Sequence, residues 1–367
     1  MLEKIADAIK LKDYKTAVRL LKPFLKSEPN NPWAKYYAAR IYEETGKLES
    51  AQKLYRQVLP KTTSPQLIAK IRQGIARLQG IEENKRQQAI SKAQTQPGGT
   101  ESGVLIVEAI SAELKKSAAQ QFAKIMGIDP YLARLQLPSR GWRLYRTGSL
   151  GELQYYVSTL RQAEISSFCG SLVQLEDVEV FEVQYFLSVE GEAIARCQNQ
   201  SGQIGTMAFN WSELTQIVRG RVPLFASVVV VDAKHQLQRK TQTQDYANIC
   251  DLHLPSRNCI LRLCDRNYNF KEGMVLAQNS DRLFSRQQET TRRSWQNLMT
   301  FIDNKFDRLS VWSDFTPFAE TAFGFGEMLD RLDPCLNLKR RDKTPWDAAF
   351  QLYSGLVLLR SRDRASI

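Results

Sequence analysis

Histidine is nearly missing from this 367-residue chain, which has only His235 and His253. Chemistry that needs several imidazoles, as hydrolytic dyads and most zinc centres do, therefore has little to draw on. His235 lies in Asp232-Ala233-Lys234-His235-Gln236, which reads as a polar turn between strands. The six cysteines, Cys169, Cys197, Cys250, Cys259, Cys264 and Cys335, include no CxxC pair. That spacing excludes a disulfide scaffold and fits a reducing compartment. Cys250, His253, Cys259 and Cys264 do crowd together. In strands, however, residues three or five apart point to opposite faces, so buried structural cysteines and a surface histidine are expected there and no metal. No apolar run reaches the eighteen or so residues of a membrane span. The longest, residues 223–231, reads as a buried strand, and residues 1–12 interleave charge with apolar residues, unlike a signal peptide. A cytoplasmic protein, able at most to sit peripherally on a membrane, is the expectation. GxSxG, Walker and GxGxxG signatures are also lacking; Gly324-Phe325-Gly326 has no third glycine in place. Glu176 and Asp177 are mere neighbours. The expectation is no enzyme and no cofactor.

What the chain has in excess is positive charge, 51 Lys and Arg against 39 Asp and Glu, for a formal net charge of +12. The first hundred residues hold nineteen of the cations and nine of the anions, a surplus of ten. Within this basic stretch a pattern recurs. Asp13-Tyr14-Lys15-Thr16-Ala17 aligns with Lys47-Leu48-Glu49-Ser50-Ala51 at an offset of 34 residues. Each segment runs through leucines to a proline, Leu20, Leu21, Leu25 and Pro29 in one, Leu54, Leu59 and Pro60 in the other. A helical pair of this size cannot bury its apolar face alone and must stack on its neighbours. Asn31-Pro32-Trp33-Ala34 opens one helix, Tyr36, Tyr37 and Ile41 continue it, and Gly46 closes it. Ala51, Tyr55 and Pro60 recur in the next. On these residues the segment resembles the tetratricopeptide family. The first unit departs from the pattern at Lys12, where the turn between helices usually has glycine. Ser64 and Pro65 open a further helix with Leu67, Ile68, Ile71, Ile75 and Leu78 at helical spacing, expected to cap the array.

The fold class expected is multidomain, with all-α tetratricopeptide-like repeats over residues 1–81 and an α+β region with a β-rich middle and a helical C-terminus. Residues 82–102, rich in Gln, Lys and Ser and ending Gln96-Pro97-Gly98-Gly99, read as a flexible linker. Residues 103–172 read as a small β-α-α-β-α-β domain. In element order it weakly resembles the fold shared by the C-terminal domain of the ribosomal stalk protein and the Clp-protease adaptor. Residues 173–367 read as a β-rich domain with C-terminal helices. A helix is expected over residues 211–218, and helices around Trp295, Leu298 and Ile302 and around Ala349, Tyr353 and Val357. The Phe- and Gly-dense segment 315–326 reads as rings capping a core, with an aromatic groove or a membrane-facing loop as the alternative.

Repeats of this kind imply a protein client. The expectation is a scaffold or assembly factor whose repeat surface, through Tyr14, Tyr37, Arg40 and Lys53, grips an acidic or extended segment. The overall arrangement resembles tetratricopeptide proteins of cyanobacteria, which implies a role in assembling photosynthetic complexes. The rival reading is a regulator that binds nucleic acid or an anionic membrane through Lys339, Arg340 and Arg341 and the Arg360-Ser361-Arg362-Asp363-Arg364 cluster.

Overall fold

A computed structural model describes residues 1–231, 236–274, 290–306, 308–338, 340 and 343–365. The chain divides into two compact units, Met1–Lys92 and Ala93–Ile367.

The first unit is helical: α1 Leu2–Lys10, α2 Tyr14–Ser27, α3 Pro32–Glu44, α4 Leu48–Val58 and α5 Pro65–Gln94, whose last two residues are counted with the second unit. Local chemistry sets the starts. The Asp13 carboxylate accepts the Thr16 N–H at 3.0 Å, and Asn31 accepts from Trp33 and Ala34 just ahead of Pro32. The turns between paired helices pass through the left-handed region at Lys12, φ 59°, and at Gly46, φ 77°. These two positions are one period apart. Two small cores follow the helical stripes. Ile5, Ala17, Leu21, Ala34 and Ile41 form one, and Tyr36, Ala39, Ala51, Tyr55, Val58, Leu67 and Ile71 form the other. Gly74 lets α5 approach α4 so closely that a β-carbon there would lie 2.6 Å from the Tyr55 ring.

The second unit begins with β1 Ser102–Glu108, α6 Lys115–Met126, α7 Pro130–Gln136, β2 Trp142–Ser149, α8 Leu150–Gln162, β3 Ser167–Ser171 and α9 Leu172–Glu176. The element order is the one its periodicities imply. The antiparallel sheet runs β2-β1-β3. Then come β4 Glu179–Ser188, β5 Glu192–Gln198, β6 Ile204–Asn210, β7 Gln216–Val231, β8 Leu237–Leu254, β9 Cys259–Cys264, α10 Thr291–Lys305, β10 Ser310–Trp312, α11 Phe315–Ala322, α12 Gly326–Leu329 and α13 Pro345–Ala365. The large sheet has the order β10-β7-β8-β9-β4-β5-β6, parallel at β10/β7 and β4/β9 and antiparallel elsewhere.

Alternation along the strands builds layers. Leu105 and Val107 of the small sheet join Phe122, Leu153 and Val157 of its helices. Val104, Ile106, Trp142, Leu144 and Phe168 face the other way, into a core with Phe318, Phe350 and Tyr353. Val218, Val222, Ile249 and Cys264 of the large sheet enter that same core. Its far face, through Val183, Cys250, Leu252 and Leu261, packs on Trp295, Leu298 and Ile302 of α10. Helices α11 and α13 thus lie between two sheets. Each sheet has a glycine where α13 closes in: a β-carbon at Gly170 would lie 2.4 Å from Leu356, and one at Gly220 2.5 Å from the Phe350 ring.

Three expectations change. Residues 103–172 and 173–367 are not separate domains, because the core around α13 draws on both. The flexible linker expected over 82–102 is helix as far as Gln94, then a tied turn. Gly98 takes φ 74°, a β-carbon on Gly99 would lie 2.5 Å from the Ala93 carbonyl, and the Gly99 and Glu101 carbonyls accept N–H bonds from Gly151 and Leu150 at 2.8 and 2.7 Å. The Pro-Gly-Gly run is turn chemistry there. Finally, residues 211–218 are not one helix. Asn210 and Glu213 form a capping box on a single turn, Trp211–Glu213, after which Ile217 and Val218 enter β7, where strand pairing outweighs the helical spacing.

Candidate functional site

In the repeat unit the polar groups converge on one buried carboxylate. Glu43 of α3 accepts the Tyr55 hydroxyl at 2.7 Å and the Arg77 Nε–H at 2.7 Å, and Arg40 approaches it at 3.1 Å. Burial alone would raise its pKa, but the bonds from Arg77 and Tyr55 and the charges of Arg40 and Arg77 hold it below the usual carboxylate value. Arg40 also reaches Glu44 at 2.7 Å, and Glu44 accepts the Tyr14 hydroxyl at 3.2 Å. The network therefore joins α2, α3, α4 and α5.

This settles where the four expected contact residues stand. Tyr14 and Arg40 are brought together, but through Glu44, and two carboxylates neutralise the Arg40 charge that was expected to attract an acidic client. Tyr37 is half-buried between the two small cores. Lys53 is exposed on α4, with no hydrogen bond or ion pair to the other three. The residue that sequence reasoning passed over is Trp33. Its ring lies 6.1 Å from that of Tyr37, and the Lys70 ammonium of α5 sits 5.9 Å from its centroid. Partial burial, followed by the nearby Tyr36, Asp7 and Glu3, raises the Tyr37 phenol pKa. An aromatic pair thus occupies α3 with acidic residues of α1 to one side and Lys70 to the other. Trp33 stood in the sequence as part of a helix start, and only the approach of α5 distinguishes it.

Of the expected basic patch only Arg340 lies among the described residues. Arg340 turns inward, donating to the Pro223 carbonyl and Thr344 hydroxyl at 3.0 Å each and pairing with Asp347; Lys339 and Arg341 lie outside the described residues. Arg360 pairs with Glu108 at 2.6 Å and stacks on Phe168, and Arg362 donates to Asn258 at 2.7 Å. The Phe-Gly segment is core: Phe315 and Phe318 are buried, and Phe323 and Phe325 pack against the same cluster.

The second unit does assemble a serine, a histidine and an aspartate, all fully buried, so His253 is not the surface residue expected of it: it shares the inward face of β8 with Asp251. Arg262, opposite Asp251 on β9, binds its two oxygens at 2.9 and 2.7 Å and donates from Nη1 to the Pro334 and Cys335 carbonyls at 3.1 Å. Ser354 of α13 donates to Asp251 at 2.6 Å, and His253 Nε2 lies 2.9 Å from Ser354 Oγ. Because the hydroxyl proton is spent on Asp251, Nε2 carries its own proton and Nδ1 is the bare nitrogen, buried without a partner. Burial lowers the His253 pKa to about 4. The order is aspartate, serine, histidine, so the imidazole accepts nothing from the serine, and no solvent reaches any of them. Cys250 points to the opposite face, as the strand period requires, and burial pushes its thiol up to about 12. Among the described residues no cluster of metal-ligating side chains occurs, and His235 lies outside them.

A tetratricopeptide-repeat family model matches residues 8–73 of the chain. No curated protein and no solved structure matches it. No described helix is long and apolar enough to cross a membrane.

Proposed function

We propose that this protein is a non-enzymatic scaffold, of the assembly-factor kind, that holds a protein client on its helical repeats. Tetratricopeptide repeats commonly mediate protein–protein contact, and the match over residues 8–73 carries the reading. The half-buried Trp33 and Tyr37 are the anchor. They offer large, rigid rings at small entropic cost, flanked by Lys70 and by the exposed Glu3 and Asp7. The client is an extended segment that seats an apolar side chain on the rings and crosses α3 between charges of opposite sign. A uniformly acidic segment fits less well, since Arg40 is already neutralised by Glu43 and Glu44. The sealed Asp251, Ser354 and His253 group supports a structural reading over catalysis.

The test is capture from a nuclease-treated native lysate by the full chain and by its Trp33→Ala and Lys70→Glu variants. A client retained by the parent and lost about thirtyfold or more from Trp33→Ala, the scale of an interface hot spot of about 2 kcal/mol, supports the proposal. Equal capture by all three chains refutes it.

A further inference from the structure

Strands β7 and β8 continue well beyond the sheet that anchors them. The parallel partner β10 covers only residues 216–218 of β7, and β9 covers only residues 249–254 of β8. Beyond Pro223 and Ala247 no described side chain of either strand is buried. From Phe225 opposite Thr243 to Val231 opposite Leu237 the two strands pair, among the described residues, only with each other. At about 3.3 Å per residue that makes a free ribbon roughly 20 Å long.

Its surface is unlike that of a solvated hairpin. Phe225 is 41% exposed, Val229 59% and Leu237 76%. Residues directly opposite share a face, so all three lie on one side of the ribbon, with Arg239 across from Val229. Lys240 sits across from Val228 on the other side. The described ribbon between Leu224 and Asp245 has these two cations and no acid. Asp245, at the root, is already paired with Arg266. Exposed apolar side chains beside unpaired positive charge suit a partner that is apolar inside and anionic at its surface. A nucleic acid would leave Phe225, Val229 and Leu237 in water and satisfy only the two cations.

We propose that the β7–β8 ribbon is a docking arm for an anionic lipid bilayer. Phe225, Val229 and Leu237 enter the boundary between headgroups and acyl chains, Arg239 beside them meets the lipid phosphates, and Lys240 on the reverse face adds its longer-range attraction to the anionic surface. Contact at this depth needs no spanning segment. The arm belongs to the second unit, so the inference stands apart from the client reading of the repeats.

The experiment is co-sedimentation of the full chain with vesicles of phosphatidylcholine alone and of phosphatidylcholine mixed equally with phosphatidylserine. The wild-type chain partitions onto the anionic vesicles. Arg239→Ala/Lys240→Ala weakens this about fivefold per charge removed, and Val229→Glu/Leu237→Glu weakens it at least tenfold. All four substitutions lie where nothing is buried, so melting stays at the wild-type temperature. Anionic vesicles slow amide exchange over residues 224–230 and 237–244 in the wild type only. Unchanged partition of both double variants overturns the proposal. So does a stronger preference for a single-stranded oligonucleotide, or self-association through the ribbon without vesicle binding.

Discussion

Replacing Arg262 with methionine would leave the Asp251 carboxylate sealed in the protein with one hydrogen bond, from Ser354, and no counter-charge. The Pro334 and Cys335 carbonyls would lose their guanidinium donor in the same step. Truncating one partner of a buried ion pair costs about 3–5 kcal/mol, and each stranded carbonyl adds up to about 1 kcal/mol or more. Against a domain stability of about 5–15 kcal/mol, a loss of about 4 kcal/mol is severe. The Asp251→Leu/Arg262→Met double variant removes both charges and recovers at least half of that, because the desolvation cost leaves with them. Urea unfolding followed by tryptophan fluorescence reads this in the second unit, which contains Trp142, Trp211, Trp295, Trp312 and Trp346, while the first contains only Trp33. An Arg262→Met loss below about 1 kcal/mol would refute the argument. A double variant less stable than the single one would refute it too.

Protonation of His253 gives a second check. Its pKa is lowered by burial to about 4 from 6.5, so on acidification the unfolded chain takes up the proton first. Its contribution is full above pH 6.5 and is lost as the pH falls toward 4, on the order of 3 kcal/mol in all; His253→Gln should flatten the slope of stability against pH in that window, and an unchanged slope would count against it. In the repeats, Lys12→Gly relieves a left-handed residue and should stabilise the first unit by about 1 kcal/mol. Lys47→Asp, which supplies the cap that Asp13 provides one period earlier, should add about 1 kcal/mol; thermal melts of the single and double variants test both. Gly220→Ala drives a methyl group into the Phe350 ring and should cost about 1–3 kcal/mol in urea unfolding.

The repeat unit was legible because its information is local. The 34-residue offset that links Asp13 to Lys47 also links Lys12 to Gly46, and the structure gives both of the latter the same left-handed turn. The strands and helices of residues 103–172 followed from period alone. The linker was misread because Gly98 and Gly99 serve a specific turn, and low-complexity sequence does not reveal which carbonyl a glycine must approach. Residues 211–218 show the helical spacing of Trp211, Leu214 and Val218, yet only Trp211–Glu213 make a turn of helix, and β8 and β10 claim residues 216–218 as strand. Arg340 read as surface charge because Asp347 and the Pro223 carbonyl, its partners, are not visible in a run of basic residues. The pairing of Asp251 with Arg262 depends on register between β8 and β9, and Ser354 reaches them from a helix about a hundred residues further on. On α3, sequence singled out Arg40 and Tyr37; Trp33 gained its significance only from the approach of Lys70.

The position of α13 between two sheets also dictates an order of assembly. The strands that flank it are synthesised well before it, and each keeps an apolar face open until Leu356 meets Gly170 and Phe350 meets Gly220. Until residues 345–365 have emerged, the nascent second unit consists of half-covered sheets with a sealed polar cluster still to be completed by Ser354. The helical repeats, made of near-neighbour contacts, can finish folding while this wait continues.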